Sequence, residues 1–127
     1  MNCNISILSW NVHGLNNEKI SDPLFLENVL NYEILIMTES WTHSKSKLKI
    51  PGYAVPFHKP ASKKPKKKGR PSGGLVVYYS KIIKKGIDLV KMSKKENIIW
   101  IKLRKNFFNL PRDIYLCCAY ILSLIHI

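Results

Sequence analysis

Acidic residues are scarce in this chain: 8 Asp+Glu stand against 21 Lys+Arg in 127 residues, a formal net charge of +13. That imbalance argues against cationic partners and for polyanions, because clustered Lys and Arg release counterions when they meet phosphates. Cysteine is nearly as rare. Cys3, Cys117 and Cys118 make an odd count with no CxxC or Cys/His ladder, which excludes a disulfide framework and a zinc site and fits a reducing compartment. The four histidines, His13, His43, His58 and His126, show no metal-ligand spacing. Long apolar runs are missing too. Ile114 to Ile127 is shorter than the ~20 residues that cross a bilayer, and the N-terminus has neither a basic start nor a long apolar core. No membrane span and no secretory segment is therefore expected.

What remains is a globular composition, 46% hydrophobic and 10% aromatic, too apolar for disorder and long enough for one domain. The alternating, β-branched stretch from Asn4 to Asn11 reads as a strand that delivers Asn11 to its C-terminal end. Ser21-Asp22-Pro23 starts a helix of about three turns, with Leu26, Val29 and Leu30 as its buried stripe. Ile34 to Met37 is a continuous apolar run, as in a strand covered on both faces, and it ends at Thr38-Glu39. Further strands are read through Phe57, over Leu75 to Tyr79, Ile87 to Val90 and Ile98 to Leu103, and over Ile114 to Tyr120 as the partner in a hairpin. An initial βαβ unit followed by hairpins predicts an α/β or α+β layered domain with mixed sheets.

Asn11 and Glu39 would then lie at the ends of neighbouring strands. An amide oxygen and a carboxylate are hard ligands suited to Mg²⁺ or Mn²⁺. On pattern alone, Asn11 capping a turn and Glu39 solvated at a strand end is the commoner account. Tyr120 would donate a hydrogen bond to a phosphate or pack in the core. Ser72-Gly73-Gly74 lets backbone approach a phosphate or makes a tight turn before a strand. Trp10, Trp41 and Trp100 read as core or rim. Six cations crowd one loop, Lys63, Lys64, Lys66, Lys67, Lys68 and Arg70, as either a nucleic-acid-binding arm or a solvated loop.

Five segments in series carry a resemblance: Ser9-Trp-Asn-Val-His-Gly-Leu15, Ile34-Leu-Ile-Met-Thr-Glu-Ser-Trp41, Ile50-Pro-Gly-Tyr53, Gly69-Arg-Pro-Ser-Gly-Gly-Leu75 and Ala119-Tyr120. Together they resemble the N-terminal part of an endonuclease/exonuclease/phosphatase domain, in the apurinic-endonuclease-like form found in non-LTR (LINE-type) retrotransposons. The resemblance implies a two-sheet α/β sandwich that hydrolyses phosphodiesters with a divalent metal, Mg²⁺ or Mn²⁺. Asn11 and Glu39 would hold the metal, and Tyr120 would line the phosphate site. The implied product is a DNA nick whose 3′-hydroxyl primes a reverse transcriptase domain of the same polyprotein. DNA as partner, no small-molecule cofactor, no membrane and an intracellular, nuclear location follow from it. The competing readings are a non-catalytic basic nucleic-acid-binding module and a phosphodiesterase of the same superfamily acting on inositol phosphates.

The chain also departs from that family. An Asp-x-Asn strand end and an Asp-His pair, which would orient water and contact the phosphate, have no counterpart, since the aspartates are Asp22, Asp88 and Asp113 alone. The expectation is a partial, inactive domain over 1–121 with a basic insertion at 59–72, followed by a non-native tail at 122–127. A sheet face built from Leu75, Val77, Ile99 and Ile101 is expected to lack its partner sheet and to promote aggregation.

Overall fold

A computed structural model describes residues 5–42, 48–61 and 73–120. The basic run from Lys63 to Arg70, Ser72 and the tail at 122–127 lie outside those residues, as do Cys3, His43 and His126.

The first strand, β1 (Ile7–Asn11), crosses through two short helices, α1 (Asn17–Ser21) and α2 (Pro23–Val29), into β2 (Ile34–Thr38). β1 and β2 pair in parallel, with Asn11 opposite Thr38. Next come β3 (Phe57–Lys59) and β4 (Leu75–Tyr79). Both are antiparallel additions, which gives a four-stranded sheet in the order β1-β2-β4-β3. A 3-10 helix over Lys81–Gly86 leads to β5 (Ile87–Met92), β6 (Asn97–Leu103), the one-turn helix α3 (Lys105–Phe108) and β7 (Ile114–Tyr120). These three strands form a second, antiparallel sheet in which Asn97 faces Tyr120 across the hairpin. The described chain is thus a mixed α/β fold with two sheets and few helices.

Every residue of β2 and β4 is buried, because side chains alternate between the two faces of the sheet and both faces are covered. Leu35, Met37, Val76 and Tyr78 join Ile20, Phe25 and Val29 of the helices in one cluster. Ile34, Ile36, Leu75 and Val77 join Ile99, Ile101, Leu103 and Cys118 of the second sheet in another. The expected uncovered face is therefore corrected: Leu75, Val77, Ile99 and Ile101 are all 0% exposed. The two sheets present within the chain bury those residues against each other, and no additional sheet is needed to do it.

The helical segment also differs from expectation. α2 has seven residues, two turns rather than three, and its buried side chains are Phe25 and Val29, while Leu30 is 51% exposed as the C-cap. Asp22 ends α1 and also caps α2, where its side chain accepts from Leu24 N–H at 2.9 Å. Phe25 turns inward with Val29, and Leu26 packs partly buried against the same cluster. No helix among the described residues is long and apolar enough to cross a membrane.

Candidate functional site

Two loops leave the same end of the parallel pair. Beyond Asn11 and Thr38 their backbones stay locked: Val12 N–H donates to Thr38 C=O at 3.0 Å, Gly14 N–H to Glu39 C=O at 2.7 Å, and Leu15 N–H to Ser40 C=O at 2.8 Å. Trp41 N–H donates to Gly73 C=O at 3.1 Å, which ties in the loop that precedes β4. Lys19 of α1 reaches back and donates its ammonium to the carbonyls of Val12 and Gly14.

The locking matters because this backbone is strained. His13, Glu39 and Trp41 all have left-handed φ, at 47°, 55° and 55°, a conformation that costs a non-glycine residue ~1–3 kcal/mol and persists only where neighbours over-determine it. Gly14 shares the region at φ +90, and a Cβ there would come within 2.5 Å of the Trp41 ring. Gly74 likewise leaves room for the Ser40 hydroxyl, which a Cβ would approach to 2.4 Å. The Gly73-Gly74 pair noted in the sequence thus acts by close packing at the rim of this site.

Glu39, at the end of β2, is half-buried, and its carboxylate is held from two directions. The Tyr120 hydroxyl at the end of β7 donates to Oε1, although 81 residues separate the two. The Trp41 indole N–H donates to Oε2 at 2.5 Å. The hydrogen bond to Glu39, then burial, then the charge of the carboxylate push the Tyr120 phenol up to about 12, so it is a protonated donor at neutral pH. Asn11 is exposed at the end of β1, and its Oδ1 accepts from His13 N–H at 3.2 Å. This is the turn-capping arrangement, the alternative that the sequence pattern offered for Asn11.

Beneath the site runs a buried polar chain. Ser40 Oγ and Thr42 Oγ1 share a hydrogen bond at 3.0 Å, and Thr42 Oγ1 also bonds to His58 Nε2 of β3. Burial pulls the His58 pKa below 6.5. The remaining candidates lie elsewhere. Trp10 stacks on Phe25 at 5.4 Å, and Trp100 stands 39% exposed on the outer face of the second sheet.

Sequence reading assigned no special part to Trp41, Lys19 or the Ser40-Thr42-His58 chain. The motif Thr-Glu-Ser-Trp held the only signal for Trp41, and nothing in the pattern marked Lys19, whose role depends on where α1 folds back.

Among the described residues no three His, Cys, Asp or Glu side chains gather as a metal cluster. What is present is one carboxylate, Glu39, and an amide oxygen, Asn11, at the ends of adjacent strands, hard donors that suit Mg²⁺, which takes one or two protein carboxylates and fills its other positions with water and phosphate oxygens. The residues fit such an ion.

No protein-family model matches the chain, and no curated protein matches it. Among solved structures it resembles the AP endonuclease LMAP from Leishmania major, with a TM-score of 0.65 and 16% identity over 93% of this chain. The chain spans 40% of the length of that structure. The likeness is one of fold.

Proposed function

We propose that this chain is part of a divalent-metal-dependent phosphodiesterase that nicks DNA, built as a layered α/β sandwich of the endonuclease/exonuclease/phosphatase kind and belonging to a non-LTR retrotransposon. The observation that carries the reading is the meeting of Glu39 and Tyr120 from different sheets. The fold likeness to an AP endonuclease supports it, as does a net charge of +13, which suits the DNA backbone.

In this reading Glu39 and Asn11 hold Mg²⁺ or Mn²⁺. The bound ion would supply charge neutralisation at the phosphoryl and leaving oxygens. Tyr120 lines the place of the scissile phosphate and spends its one hydroxyl proton on Glu39 Oε1, so it acts on the phosphate through the carboxylate it holds. The loops pinned by Lys19 and Gly14 place the carboxylate before substrate arrives, so little reorganisation is needed on binding. Lys63, Lys64, Lys66, Lys67, Lys68 and Arg70 would neutralise DNA phosphates and confer steep salt dependence. A reverse transcriptase domain in the same polyprotein would use the 3′ end, in the nucleus. With no Asp-x-Asn and no Asp-His in the sequence, nothing orients the attacking water, and the 127 residues alone are proposed to be inactive.

Titration with Mn²⁺ followed by electron paramagnetic resonance tests the site. One ion per chain is expected. Glu39→Ala should weaken it by more than ~10-fold, since loss of even an outer partner commonly costs that much. A supercoiled plasmid incubated with Mg²⁺ should stay uncut. Absence of Mn²⁺ binding would overturn the metal-site reading, and sustained nicking that disappears in Glu39→Ala would overturn the inactivity.

A further inference from the structure

The Trp41 side chain touches both strained loops. Its indole N–H ends on Glu39 Oε2 at 2.5 Å. The same ring lies so close over Gly14 that a Cβ there would fall 2.5 Å from one ring carbon and 2.9 Å from another. Its edge meets the His13 imidazole at 6.2 Å and 67°. The backbone beneath it is held in the left-handed region at φ 55° by the hydrogen bond from its own N–H to Gly73. A tryptophan that served only as rim packing would gain nothing from that conformation, which costs free energy and aims the indole N–H inward.

We infer that Trp41 is a positioning residue for the Glu39 carboxylate, with the indole N–H fixing which oxygen faces the cation and the ring coupling that orientation to the loop carrying Asn11, His13 and Gly14. Tyr120 restrains Oε1 and Trp41 restrains Oε2, so the carboxylate cannot rotate about its terminal torsion, otherwise a broad and nearly free one. Outer-sphere hydrogen bonds of this kind orient a ligand and raise its affinity for metal, and their removal commonly costs 10–100-fold. The inference rests on the metal-site reading of Glu39 and deepens it.

The test compares the 127-residue chain with Trp41→Phe, which keeps a ring over Gly14 and removes the N–H, and with Trp100→Phe as a control on the outer sheet face. Mn²⁺ affinity should fall about 10-fold or more in Trp41→Phe and stay unchanged in Trp100→Phe. A nitrogen-15 spectrum of the indole groups supplies a readout that needs no metal. Of the indole N–H signals of Trp10, Trp41 and Trp100, that of Trp41 should lie downfield and move upfield in Glu39→Ala while the other two stay. Equal Mn²⁺ affinity in wild type and Trp41→Phe overturns the inference and leaves the metal site standing. No Mn²⁺ binding by the wild type overturns the metal site, and this inference with it. If Trp41→Phe does not fold, the indole signal decides: a Trp41 N–H unmoved by Glu39→Ala overturns the inference.

Discussion

Glu39 shows how much of this site depends on single residues in unusual conformations. The carboxylate projects between two loops because Glu39 and Trp41 both take positive φ, and the carbonyls of Thr38, Glu39 and Ser40 are each held by an N–H of the first loop. Gly14 makes that interlock possible by having no Cβ under the indole. Gly14→Ala is therefore expected to lower unfolding free energy by ~1–3 kcal/mol, through backbone strain and overpacking together. The same change should push the indole off Glu39. A urea titration checks the first effect and Mn²⁺ affinity the second; an alanine variant as stable as the wild type would contradict the packing described here.

At the scale of elements, the crossover between β1 and β2 is held by the body of the fold through a tyrosine. Tyr53, bridged to Ser80, donates its hydroxyl to the carbonyl of Val29 at 2.7 Å and also contacts that of Tyr32. Those carbonyls close the C-terminal end of α2 and the turn into β2, where orphan acceptors need partners. The ring packs edge-on against Tyr78 at 6.2 Å, and burial, then the charge of Glu33, push the phenol up to about 12. Tyr53→Phe keeps the ring and removes one donor from the Val29 carbonyl, which still accepts from Tyr32 N–H at 3.1 Å. A loss of ~0.5–1.5 kcal/mol is expected from thermal or urea unfolding, and a loss near zero would show that water replaces the hydroxyl.

For the whole molecule, stability should depend on pH through the polar chain under the site. His58 has its pKa lowered from 6.5 by burial, so the unfolded chain binds the proton more readily than the folded one. The stability tied to neutral His58 is thus intact above that value and is lost as pH falls from 6.5 through the lower folded pKa. Because Thr42 and Ser40 are buried on the same hydrogen-bonded path, protonation there loosens the loop after β2 and the sheet behind it together. The melting temperature should drop between about pH 7 and about pH 5, and His58→Gln should flatten that drop. The same slope in both proteins would assign the pH dependence to other groups.

Much of this protein is legible in local pattern. Strands β1, β2, β4, β6 and β7, the parallel start and the final hairpin follow from apolar periodicity and turn residues, because those signals act over a few neighbours. Asn11, Glu39 and Tyr120 were legible as strand-end positions for the same reason. The α2 stripe departs from expectation at Leu30, exposed as the C-cap, and at the buried Phe25, since apolar spacing does not record that the helix ends after two turns. The cover over Leu75, Val77, Ile99 and Ile101 was misjudged because which sheet packs on which is a matter of long-range burial. Tertiary structure alone decided that Tyr120 reaches Glu39 across 81 residues, that Trp41 completes the grip on the carboxylate, and that Lys19 folds back on the first loop. These contacts join residues distant in sequence or turned by strained backbone, and they exist only once two sheets have closed on a shared core.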